Sequence, residues 1–298
     1  LRSSSVYVII PPAAASQDPI GDSEEWSRSI GKVDVMPDHR VIVVSIPKSG
    51  TYLAAELLKA LGYRFTGMHL AETAYTDYSG SALAEARQDP GRFVRSEPLS
   101  ASLSHIQPGQ FAVGHLPFKD EVVRATGPFK RLYLTRDLRL ALISYMRFMH
   151  TTGRLGAKQL AWYSIPDLRK RCYVFLQTSA PYMLKRFYEG MVGWSNLDDT
   201  LHVRFEDLTN DAERATRVIE SAATFLGIPN CDAQSILRAS LASETITKSD
   251  GLTRLEDYWT PQSEKCFIEI GGQDLNVRLS CSPDCPAAIV TPGDKRVA

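Results

Sequence analysis

The run Val41-Ile42-Val43-Val44-Ser45-Ile46 restricts the fold of this chain more than any other segment. A continuous, mostly β-branched stretch without polar alternation reads as a strand covered on both faces. Such strands belong to parallel sheets with helices packed on either side. A loop, Pro47-Lys48-Ser49-Gly50-Thr51-Tyr52, follows at once; Leu53, Leu57, Leu58 and Leu61 then recur at helical spacing, with Gly62 where a helix should stop. The pattern repeats twice. Arg131-Leu132-Tyr133-Leu134-Thr135 leads into a helix through Tyr145, and Leu201-His202-Val203-Arg204-Phe205 leads through a polar turn into a helix over 211–226. Strands alternating with helices imply crossover connections, hence an α/β chain with a central parallel sheet flanked by helices.

The loop after the first strand is placed where free backbone amides and a positive helix end meet an anion. Gly50 permits close backbone approach, Ser49 and Thr51 add hydroxyl donors, and Lys48 supplies a cation. The plainer alternative is a helix N-cap with an incidental lysine. No glycine stands four residues before a Gly-Lys-Ser/Thr triplet, so this is not a Walker A loop, and a nucleoside triphosphatase is disfavoured. Farther on, Arg136 at a strand end and Ser144 on the next helix could converge on one anion, the arginine with a planar fork of donors and the serine with one hydroxyl. A surface arginine and an ordinary helical serine are the alternative there.

Composition narrows the class. The 298 residues are 44% hydrophobic and 23% charged, which suits a globular enzyme with one large domain, expected over 37–280. Residues 1–36 read as an N-terminal extension and 281–298 as a tail. Lys+Arg and Asp+Glu each total 34, so no overall charge draws the chain to nucleic acid, and an anion site must be built locally. Leu1 to Gln17 has the outline of a signal peptide, but its apolar run, Val6 to Ile10, is short and broken by Pro11 and Pro12. No stretch approaches the ~20 apolar residues of a membrane helix. A cytoplasmic location is expected. Of the five cysteines only Cys281 and Cys285 are close, without the second pair a zinc site needs; reduced thiols are expected, with a Cys281–Cys285 disulfide as the minor alternative. Residues 64–110 show no strong period and read as loops and short helices. Leu176, Met183, Leu184 and Phe187 lie at helical spacing and read as a packed helix.

Pro47-Lys48-Ser49-Gly50-Thr51 after a strand resembles the 5′-phosphosulfate loop of the sulfotransferase family, which continues with Thr-Trp-Leu where this chain has Tyr52-Leu53-Ala54. The segment from Arg136 resembles that family's 3′-phosphate motif, with Ser144 eight positions after the arginine and Phe148 as the following aromatic, but with Leu138 for the usual proline. Between them, Gly114-His115-Leu116-Pro117 resembles the family's Thr-His-Leu-Pro segment, and Phe205-Glu206-Asp207-Leu208 its Tyr-Glu-Asp-Leu segment. The resemblance runs from about residue 38 to about 280 and implies a P-loop nucleotide-kinase-like sulfotransferase fold. It implies 3′-phosphoadenosine 5′-phosphosulfate as cosubstrate, with no metal required. The implied reaction is transfer of the sulfuryl group to a hydroxyl, in preference to an amine, of a small-molecule or carrier-bound acceptor. His115 would be the general base, a role suited to an imidazole with an ordinary pKa of ~6.5. Lys48 and the amides of Ser49 to Tyr52 would hold the phosphosulfate, and Arg136 and Ser144 the 3′-phosphate. Lys248 and Arg254 are candidate phosphate contacts from the C-terminal stretch. Tyr75, Tyr78, Trp162 and Tyr163 would border the acceptor pocket, and His69, His105, His150 and His202 default to structural roles. The family segment often carries a lysine shortly before its histidine, which this chain lacks. A nucleotide or small-molecule kinase on a related fold, and a non-catalytic nucleotide-binding protein, are the rival readings.

Overall fold

The computed structural model describes residues 37–152, 155–245 and 254–280. Its centre is a sheet of seven strands: β1 (Val41–Ser45), β2 (Arg64–Leu70), β3 (Ala74–Asp77), β4 (Val94–Ser96), β5 (Gln110–Gly114), β6 (Lys130–Thr135) and β7 (Thr200–Arg204). Their order is β4-β3-β2-β5-β1-β6-β7. β2, β5, β1, β6 and β7 run parallel, while β3 and β4 turn back antiparallel at one edge. β1 lies between β5 and β6, and every one of its residues is buried.

The unbroken apolar run of β1 has a direct cause. Val41 and Val43 face one layer, formed with the helices Thr51–Ala60, Ala212–Phe225 and Ala233–Ala242. Ile42 and Val44 face the other, formed with the helices Leu138–Thr152 and Leu168–Thr178. Alternate residues of one strand thus serve two cores, and each fully buried Val or Ile contributes about 1.5–3 kcal/mol.

The helix Thr51–Ala60 ends where Gly62 adopts φ +92°, as the sequence predicts. The expected strands over 41–46, 131–135 and 201–205 and the expected helix over 211–226 are present within a residue or two. Residues 64–110 differ from expectation: they contain β2, β3 and β4. Those strands are largely half-exposed, and the register of β2 against β5 shifts between Phe65 and His69. Gly67 sits inside that irregularity at φ +80°, and a Cβ there would lie 2.5 Å from the amide nitrogen of Ser79. A strand with a bulge and mixed exposure carries no clean period of two.

Beyond Arg254, the helices Pro261–Glu269 and Gly272–Ser280 pack back over the start of the Leu138–Thr152 helix. Asn276 accepts from the Leu138 amide at 2.8 Å and donates to Asp137 at 3.2 Å, and Arg139 is forked onto Glu264 at 2.9 and 2.6 Å. No described helix is long and apolar enough to cross a membrane.

Candidate active site

Three neighbouring parallel strands end side by side, β5 before His115, β1 before the Pro47–Tyr52 loop, and β6 before Arg136. The chain leaves β1 for one side of the sheet and later returns to the other, so these ends border the crevice where ligands bind in open α/β sheets. The loop is shaped for an anion. Lys48 and Gly50 both have left-handed backbone, at φ 67° and 91°. The first intrahelical bond runs from Ala54 to the Gly50 carbonyl at 3.1 Å, which leaves the amides of Thr51, Tyr52 and Leu53 ahead of the helical ladder.

Neighbours hold this loop from several directions. A Cβ on Gly50 would meet the Phe205 ring at 2.5 Å, so only glycine fits under that ring. The Arg136 guanidinium lies 4.3 Å from the centre of the same ring and donates to the Lys48 carbonyl at 3.1 Å. From the other layer the fully buried Tyr188 donates to the Pro47 carbonyl at 3.1 Å; it lies in a wide π-type turn, Leu184–Tyr188. Arg136 keeps one buried donor, Nε, without a protein partner, and the nearby Glu206 carboxylate opposes the effect of burial on its charge.

The Lys48 ammonium sits 4.4 Å from the centre of the Phe148 ring. Burial, then the nearby Arg136 and Arg147, push its pKa down to about 8. Lys48 is therefore charged at neutral pH and poised to gain an anionic partner.

His115 is fixed through β1. Its Nδ1 lies 2.7 Å from the Ser45 carbonyl, an acceptor only, so Nδ1 carries the proton and donates. Burial pushes its pKa down to about 4 against the opposing effect of that hydrogen bond, with Lys48 lowering it further. The neutral ring thus presents Nε2 with a free lone pair, the form a proton acceptor requires. Behind it, Trp194 donates to the Leu116 carbonyl at 2.9 Å and steadies the turn that carries the histidine.

The family model for the sulfotransferase domain matches residues 38–264, which includes all of these loops. This chain belongs to the sulfotransferase family. A comparison with curated proteins returns no match. Among solved structures it is similar to mouse sulfotransferase SULT7A1 complexed with PAP, at 17% identity over 84% of this chain and 92% of that one, with a TM-score of 0.49. It is also similar to retinol dehydratase in complex with androsterone and inactive cofactor PAP, at 18% identity over 81% of each chain and a TM-score of 0.49.

The sulfotransferase structure distributes the sequence-predicted residues unevenly. Lys48, Arg136 and His115 come together, and Ser144 lies partly buried on the helix that leaves β6. The hydroxyls of Ser49 and Thr51 differ from expectation, because both are turned inward: Ser49 donates to the Ile46 carbonyl at 2.8 Å, and Thr51 pairs with the Ser45 hydroxyl at 2.7 Å. A buried hydroxyl keeps a partner, and here the loop itself provides one. Lys248 lies outside the described residues, as do Cys281 and Cys285. Arg254 is exposed at the start of the turn Leu255–Asp257. Trp162 is a core residue, fully buried with its indole donating to Ser179 at 2.9 Å.

Tyr52 is turned into the protein, 7% exposed, with its phenol 3.1 Å from His69 Nδ1. His69, which the sequence leaves as structural, stands edge-on to His115 at 4.6 Å between ring centres. Its only advance signal is Gly67, two residues earlier, where the backbone must bulge.

Proposed function

We propose that this sulfotransferase moves the sulfuryl group of 3′-phosphoadenosine 5′-phosphosulfate to an acceptor hydroxyl, with His115 as general base. The observation that carries this reading is the meeting of Lys48, Arg136 and a singly protonated His115 at adjacent strand ends. The acceptor oxygen attacks sulfur in line and its proton passes to His115 Nε2. The bond from sulfur to the bridging phosphate oxygen breaks, and that oxygen keeps the electron pair. Lys48 and the amides of Gly50, Thr51 and Tyr52 stabilise the charge that grows there. Arg136 and Ser144 take the 3′-phosphate, and Arg254 with Lys248 are further candidates for that end.

A thermal-shift series tests the reading. Adenosine 3′,5′-bisphosphate should raise the melting temperature and ATP with magnesium should not. The opposite ranking would transfer the assignment to a kinase. His115→Ala should lower sulfuryl transfer by ~10²-fold or more while leaving bisphosphate binding in place. An unchanged transfer rate would remove His115 from the base role.

A further inference from the structure

The imidazole of His69 has no role in the scheme above, yet the fold places it with care. The register shift in β2, possible only with Gly67 at φ +80°, sets His69 opposite Val113 and next to the end of β5. Thr66 fills the broken ladder by donating its hydroxyl to the Phe111 carbonyl at 3.0 Å. Bulges beside active sites commonly re-aim a side chain, and this one aims an imidazole at His115, ring centres 4.6 Å apart and planes at 72°. The far side of His69 is anchored by the Tyr52 phenol at 3.1 Å, with Tyr78 edge-on to Tyr52 at 6.5 Å.

The proton positions then follow from neutrality. Burial, with His115 close by, holds the His69 pKa well below its ordinary value, so the ring carries one proton. Burial and then Tyr78 hold the Tyr52 phenol far above its ordinary value, so it keeps its hydrogen. His115 already presents a bare Nε2. A Tyr52 phenol that accepts from Tyr78 and donates to His69 Nδ1 leaves an N–H on His69 Nε2, on a ring whose centre lies 4.6 Å from that of His115.

We propose that His69, oriented by Tyr52, donates its Nε2 hydrogen to the acceptor atom whose proton His115 removes, and that this pair selects a hydroxyl over an amine. The inference rests on His115 being the base. A hydroxyl oxygen has two lone pairs: one attacks sulfur while the other accepts from His69, and the hydrogen goes to His115. An amine nitrogen has one lone pair, which attack consumes, so His69 would face it with an unpaired donor. Sites that hydrogen-bond a substrate group reject analogues that cannot return the bond.

Long-range proton–nitrogen spectra of the full chain, labelled with nitrogen-15 histidine and saturated with adenosine 3′,5′-bisphosphate, read the tautomers directly. His69→Gln and His115→Gln assign the signals. The expected result is the Nε2 tautomer for His69 and the Nδ1 tautomer for His115, with Tyr52→Phe redistributing the proton on His69 alone. A His69 proton resident on Nδ1 in the unmodified chain overturns the proposal.

Transfer from radiosulfur-labelled donor to phenol and to aniline gives the second arm. Phenol should react at least about tenfold faster, and His69→Phe should lower the phenol rate by about tenfold, the loss of one hydrogen bond in the transition state. His69→Gln, which keeps a donor, should retain most of that rate. Equal rates for phenol and aniline, or equal losses in the two variants, overturn it. Failure of the unmodified chain to bind the bisphosphate would instead overturn the sulfotransfer reading, so the two failures are distinct.

Discussion

Arg136→Ala removes a guanidinium that stacks on Phe205, donates to the Lys48 carbonyl and, in the reading proposed above, takes the 3′-phosphate. A charge-assisted hydrogen bond contributes about 1.5–3 kcal/mol, so the dissociation constant for adenosine 3′,5′-bisphosphate should rise roughly 10- to 150-fold. Arg136 is also one of the cations that hold Lys48 down to about 8, so its removal should move the alkaline limb of kcat/KM upward. Arg136→Lys keeps the charge but loses the flat fork and the stack, and should fall between the two. Calorimetric titration reads the affinity, a pH series of initial rates reads the limb, and a melting curve confirms that each variant is folded. An unaltered dissociation constant in a folded Arg136→Ala protein would refute the argument. An alkaline limb that stays in place would refute the electrostatic half of it alone.

The remaining predictions concern pH and packing. In the unmodified sulfotransferase, kcat/KM should rise with pH through about 4, as His115 loses its proton, and fall through about 8, as Lys48 loses its charge. An acid limb at the ordinary histidine value of 6.5 would mean that His115 is not desolvated. The same depressed histidine makes the unfolded chain the stronger proton binder between about 4 and 6.5, so its contribution to stability should decline as pH drops through that window. Gly50→Ala puts a side chain on left-handed backbone, at about 1–2 kcal/mol, and drives a Cβ against Phe205; the melting temperature should drop by roughly 2–8 °C, and an unchanged melt would contradict the close approach. Asn276→Leu leaves the Leu138 amide unpaired and should destabilise by about 1–3 kcal/mol in denaturant unfolding, with no loss meaning that water replaces the bond.

The parts of this chain that could be read from sequence are those where one constraint dominates. β1 and β6 announce themselves because burial on both faces selects continuous apolar runs, Val41 to Val44 and Leu132 to Leu134, and Gly50 and Gly62 because only glycine accepts their backbone angles readily. β4 at the sheet edge is short and exposed, β3 beside it is short and half-buried, and β2 carries the Gly67 bulge, so their residues answer to several neighbours and show no single period. His115 and Arg136 were legible because each immediately follows a strand in the expected order, and Lys48 because it lies in the loop between β1 and its helix. His69 was not, since a lone imidazole in a half-exposed strand takes its meaning from a register shift that no local pattern records. The inward turn of the Ser49 and Thr51 hydroxyls was equally hidden, because their partners are carbonyls and hydroxyls supplied by the folded loop itself.

Ser45 accepts the His115 hydrogen bond on its carbonyl, meets Thr51 with its hydroxyl, and is the last residue of β1 before the loop. His115 and the Pro47–Tyr52 loop are therefore both positioned by one residue. The antiparallel margin enters by another route, since Thr76 of β3 pairs with His69, so a change there would shift His69 relative to His115 while leaving Ser45 in place.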